Sequence, residues 1–176
     1  MRDRPNDTSP NASEISETLR VILAPRHIQD PHTIAKLWSD YGRLIRVTMR
    51  DSPETFIVKW IAPPGGFPNA ASREIATPTD VPSHPRGWNT GNSHQRKLQS
   101  YIVEQSWYQH YAQQTQRDEQ LCCRVPMHIA TRTNRQHIVL VMEDLDAAGF
   151  SRRPHHANND QIKAMLHWLA DFHALF

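Results

Sequence analysis

The chain has 176 residues, a formal net charge of +2 and 38% hydrophobic residues, which is material for one ordinary domain. No apolar run reaches the roughly 18 residues of a membrane span. The adjacent Cys122 and Cys123 cannot build a disulfide framework, and near-balanced charge does not demand nucleic acid. Met1 to Arg20 is polar and carries acids, so it is neither a secretory signal nor a transit peptide, and a reducing cytoplasm is the expected location.

Residues 1–18 read as a disordered leader with a short helical stretch near its end. Ile34–Trp38, Arg43–Arg50 and Thr55–Ala62 are rich in β-branched and aromatic residues and predict three short antiparallel strands. Asp51-Ser-Pro-Glu54 is a turn between the second and third. Residues 63–93 are broken by Pro and Gly at a density that no element survives, so they predict a long loop. Leu98, Tyr101, Ile102, Tyr108 and Ala112 recur at helical spacing and predict a helix over His94–Arg117, capped by Ser93. Two more strands follow, Arg124–Thr131 and His137–Met142. Pro126 sends the first of them to an edge or a bulge. Ile162, Met165, Leu166, Leu169, Phe172 and Phe176 make the apolar face of a last helix, with Asn158 or Asn159 as its cap.

Three places carry chemistry. Lys59 stands inside Phe56-Ile-Val-Lys-Trp-Ile61, where a lysine either points to solvent or has a buried partner. The chain has only four lysines. Glu104 shares its helix with Tyr101, Trp107, Tyr108 and Tyr111 at spacings of three, four and seven. An unpaired carboxylate on such an aromatic face is costly. It is either a solvated acid with a basic neighbour or the partner of a strand lysine. Such a Lys–carboxylate pair is a device for holding nucleotide phosphates. The third is Ile138-Val-Leu-Val-Met-Glu-Asp-Leu-Asp146, a strand running into acids and a Gly turn. It reads equally as a simple strand end or as a connector whose backbone can hold a flat heterocycle.

These pieces resemble, in order from about Ile34 to Phe176, the choline kinase-like and ecdysteroid kinase-like small-molecule phosphotransferases. That family is related in fold to aminoglycoside phosphotransferases and protein kinases. Lys97-Leu-Gln-Ser-Tyr-Ile-Val-Glu-Gln-Ser-Trp-Tyr108 is similar to the family's N-lobe helix. Met142-Glu-Asp-Leu145 is similar to its hinge, and Leu169-Ala-Asp-Phe-His-Ala174 to the first helix of its C-lobe. The resemblance implies an α+β chain: a kinase-like N-lobe at 19–142 with about five antiparallel strands and one packed helix, a hinge and linker at 143–157, and a first C-lobe helix at 158–176. It implies ATP and Mg²⁺ as cofactors and a small-molecule hydroxyl as acceptor. Lys59 would contact phosphates, Glu104 would pair with Lys59, and Met142, Glu143, Asp144 and Leu145 would line the adenine site. The turn holding Gly42 would cover the phosphates, although it lacks the Gly-x-Gly-x-x-Gly pattern.

No His-x-Asp catalytic-loop sequence occurs, and Asp171-Phe-His lies within a helical period. The expectation is therefore an N-lobe cut before the catalytic loop and the metal-binding Asp, inactive alone. The alternative is a non-catalytic nucleotide-binding or protein-interaction module. Eleven histidines show no Cys-x-x-Cys or His-Glu-x-x-His spacing, so no metal site is expected. The thiols are expected to be structural. The apolar face of the last helix suggests self-association; no nucleic acid and no membrane partner are expected.

Overall fold

The structure, a computed structural model, describes residues 12–24, 26–29, 31–68, 91–116 and 123–175. Alternation in two neighbouring strands organises it. In β2 (Gly42–Thr48) and β3 (Thr55–Ile61), buried residues alternate with half-buried ones, as side chains on a pleated strand must. β1 (His32–Lys36) pairs with β2 to complete a meander. α2 (Gly91–His110) leads to a hairpin of β4 (His128–Thr133) and β5 (Ile138–Glu143). β5 pairs with β3, so the antiparallel order is β1-β2-β3-β5-β4. This is the α+β arrangement expected of a kinase-like N-lobe followed by a helix.

The buried face of the sheet presents Ile45, Val47, Phe56, Val58, Trp60, Val139 and Val141. Its cover is α1 (Ala12–Ile22), whose Ile15 and Leu19 recur at one-turn spacing and, with Leu23, join that core. Each such side chain contributes roughly 1.5–3 kcal/mol when fully buried. The short helical stretch expected near the end of the leader is α1, which is packed because these few apolar residues share one face. Residues 1–11 lie outside the described residues. A second core of Tyr41, Ile61, Leu98, Tyr101 and Ile138 fastens α2 to the sheet, so two helices pack on it rather than one.

Several boundaries differ from the sequence reading. α2 starts at Gly91, so Ser93 is inside the helix and not its cap. It ends at His110, and a 3-10 turn covers Ala112–Gln116. Of the expected loop, 63–68 are described as non-regular chain and 91–93 are helical; 69–90 lie outside the described residues. Pro126 precedes β4, which is an edge strand with an irregularity between His128 and Ala130. Cys123 is a buried free thiol; Cys122 lies outside the described residues.

α3 (Asn159–Leu175) is capped by Asn158. The Gln161 N–H donates to Asn158 Oδ1 at 2.9 Å and the Asn158 N–H donates to Gln161 Oε1 at 2.9 Å, a reciprocal cap. Of the predicted apolar face, Phe172 docks, with Trp168 one turn before it. Trp168 Nε1 donates to the Arg124 carbonyl at 3.0 Å, and the Phe172 ring lies 5.6 Å from that of Trp107. Ile162, Met165, Leu166 and Leu169 stay exposed, and Phe176 lies outside the described residues. Among the described residues no helix is long and apolar enough to cross a membrane.

Candidate functional site

Val58 and Trp60 point into the core beneath α1. Lys59 between them must therefore emerge on the other face of β3. There it neighbours Leu44 on β2 and Leu140 on β5. Leu98 and Tyr101 anchor α2 on this part of the sheet, and Glu104, the one acid of α2, follows Tyr101 by three residues on the same face. Lys59 Nζ donates to Glu104 Oε1 at 2.6 Å and to Oε2 at 2.7 Å. The Lys59 side chain is 18% exposed and that of Glu104 31%. The Tyr101 ring lies 5.4 Å from the ammonium, close enough for a cation–π contact. Burial, then the Glu104 carboxylate and Tyr41, push the Tyr101 hydroxyl up to about 12. Of the two options open for Lys59, the structure takes the partnered one.

Glu143 ends β5, and residues 145–149 form the turn after it. Met142 is buried opposite Ile57. The acids are engaged in holding the connector. Glu143 accepts from Arg124 Nη1 at 3.0 Å and Nη2 at 2.5 Å, and from the Met127 N–H at 3.0 Å. Asp144 is 4% exposed. It accepts from Arg46 Nε at 2.6 Å, Thr55 Oγ1 at 2.8 Å and the Asp146 N–H at 3.1 Å. Arg46 Nη2 also reaches Asp146 Oδ2 at 2.6 Å. Burial raises the Asp144 carboxyl, but Arg46 and Thr55 outweigh it and hold the group below its usual range. The carbonyl of Leu145 accepts from the Phe150 N–H at 2.8 Å and that of Asp144 from the Ala148 N–H at 3.0 Å.

Residues 89–175 match the family model of the ecdysteroid kinase-like family. Over that stretch the chain is similar to that family. The match covers just under half of the chain and points, at the coarse level, to a kinase-like phosphotransferase. No curated protein and no solved structure matches. The matched stretch contains Glu104 and Met142–Leu145; Lys59 and Gly42 come from the strands before it.

Gly42 opens β2 opposite Ile61. A Cβ there would stand 1.9 Å from the Trp60 carbonyl oxygen, so strand packing alone requires glycine. The turn before it is tied to α2: the Tyr41 hydroxyl and His94 Nδ1 share a hydrogen bond of 2.5 Å, and Lys97 Nζ donates to the Trp38 carbonyl at 3.3 Å. Lys59 suits phosphate oxygens. No comparable donor set for Mg²⁺ exists: among the described residues, no group of three or more His, Cys, Asp or Glu could hold a metal ion. The structure thus brings Lys59 and Glu104 together, while the side chains of Glu143 and Asp144 are turned to structural partners. Arg46 is the residue that sequence reasoning missed. Its one signal was strand parity, which puts it on the Lys59 face.

Proposed function

We propose that this chain binds the phosphates of ATP through Lys59, in the service of phosphoryl transfer to a hydroxyl of a small molecule. The Lys59–Glu104 contact carries the reading. An ammonium has three N–H groups, and its hydrogen-bond acceptors among the described residues are the two oxygens of Glu104. One N–H therefore remains for a phosphate oxygen, and Glu104 fixes its direction. Positioned cations of this kind neutralise charge on a transferring phosphoryl group. Half-buried Leu44 and Ile57 share the face of Lys59 and suit an apolar heterocycle. With the Glu143 and Asp144 carboxylates occupied, contacts from Met142–Leu145 to the base would be made by backbone. The 176 residues contain no His-x-Asp sequence, so we propose nucleotide binding without turnover by these residues alone.

Calorimetric titration with ATP tests this. The unaltered chain is expected to bind in the millimolar range or tighter. Lys59→Ala should weaken binding at least about tenfold, or 1.4 kcal/mol, with an unchanged circular-dichroism spectrum. Glu104→Gln should have a smaller effect. Absence of binding at millimolar ATP, or equal binding by Lys59→Ala, removes the nucleotide reading. Phosphoryl transfer by this chain that disappears in Lys59→Ala overturns the absence of turnover.

A further inference from the structure

On the far side of the sheet from Lys59, α1 ends against the start of the meander. The Leu23 N–H closes the last turn onto the Leu19 carbonyl at 2.9 Å, and the Arg26 N–H donates to the Leu23 carbonyl at 2.9 Å. Ile28 bridges Met49, and the Arg50 N–H donates to the His27 carbonyl at 2.7 Å. Between this segment and the helix end lies a cavity of about 390 Å³, lined by Arg20, Ala24, Arg26, His27, Ile28 and Arg50. Ala24 and Ile28 are its apolar lining, Arg20, Arg26, Arg50 and His27 its polar lining, and no carboxylate is among the described residues that line it. Elsewhere Arg46, Arg124 and Arg153 are paired with acids. Among the described residues, Arg20, Arg26 and Arg50 have no acidic partner. The Arg26 guanidinium lies 5.3 Å from the centre of the Phe56 ring, close enough for a cation–π contact.

We propose that this cavity is a binding site for a phosphate monoester with a small apolar body. Guanidinium forks match phosphate oxygens bidentately. Three of them around one concavity repel each other until an anion enters, and Ala24 and Ile28 supply an apolar floor. The volume falls in the usual range for small-ligand pockets, about 300–1,000 Å³. The site faces away from Lys59 and does not depend on the nucleotide reading.

The test is titration of the full chain with phenyl phosphate, followed by calorimetry. Binding should persist in Lys59→Ala. It should weaken at least tenfold in the double variant Arg20→Gln, Arg50→Gln, whose side chains are exposed. Ala24→Trp, which fills the cavity and keeps the charges, should weaken it similarly. Each variant is checked for an unchanged thermal midpoint, which separates loss of the site from loss of the fold. A parallel arm uses vesicles of phosphatidylcholine with and without phosphatidic acid. Binding confined to the phosphatidic acid vesicles, and lost in the same variants, assigns the phosphate to a lipid headgroup instead of a soluble ester. No binding in either arm, binding equal in all variants, or binding lost only in Lys59→Ala overturns the proposal.

Discussion

His94, His128 and His137 are all held below the ordinary histidine value of 6.5, chiefly by burial. Each has a polar contact that suits the neutral ring: Tyr41 for His94, Thr131 Oγ1 at 2.8 Å for His128, and Asn134 Nδ2 at 3.1 Å for His137. His137 also lies 4.7 Å from the Trp60 ring, at the heart of the sheet. A lowered folded value means that the unfolded chain takes up protons first as pH falls. Stability is therefore fully present above about pH 6.5 and declines below it. Urea unfolding at about pH 7.5 and about pH 5.5 should show the lower midpoint at the acid value, and a flat profile over that window would count against neutral buried rings. A second decline belongs below the ordinary carboxylate values of 4.5 for Glu143 and 3.8 for Asp144 and Asp146. There the Arg124, Arg46 and Arg153 partners lose their anions.

The connector after β5 is held by one buried carboxylate that touches β2, β3 and its own turn. Asp144→Ala removes the acceptor for Arg46, Thr55 and the Asp146 N–H together. Breaking a buried pair of this kind costs about 3 kcal/mol, which denaturant unfolding would register. Arg46→Ala should cost less, since half-exposed Arg46 leaves Asp144 its other donors, and the double variant should fall short of the sum. The contrast between the two pairs of this face explains what could be read in advance. Lys59 lies in an apolar strand and Glu104 on an aromatic helix face, so each advertises the need for a partner 45 residues away. Arg46 and Asp144 stand 98 residues apart, in segments where arginine and aspartate have local neighbours of the same kind. Only the pairing of β2 with β3, and of β3 with β5, brings them within reach. The strands themselves were legible from β-branched and aromatic runs. α1 was legible only as a short helical stretch at the end of the leader, because its three apolar anchors are diluted by Ser, Glu and Thr.

At the scale of the molecule, the two ends of the chain behave differently. α3 docks by Trp168 and Phe172 and leaves Ile162 45%, Met165 64%, Leu166 58% and Leu169 41% exposed. An apolar surface of this kind is unusual on a free monomer. A dye that fluoresces on apolar surfaces should light up with this chain. Met165→Glu with Leu166→Glu should dim it without moving the unfolding midpoint, because neither side chain supports the core. An unchanged signal would show that the dye binds elsewhere. α1 is the opposite case. The core it enters includes Val139 and Val141 of β5, which are made more than a hundred residues after Leu19. During synthesis α1 therefore has no complete seat until β5 has emerged and inserted beside β3. Contacts so distant along the chain slow folding, and they give this lobe an all-or-none character in which α1 is among the last elements to settle.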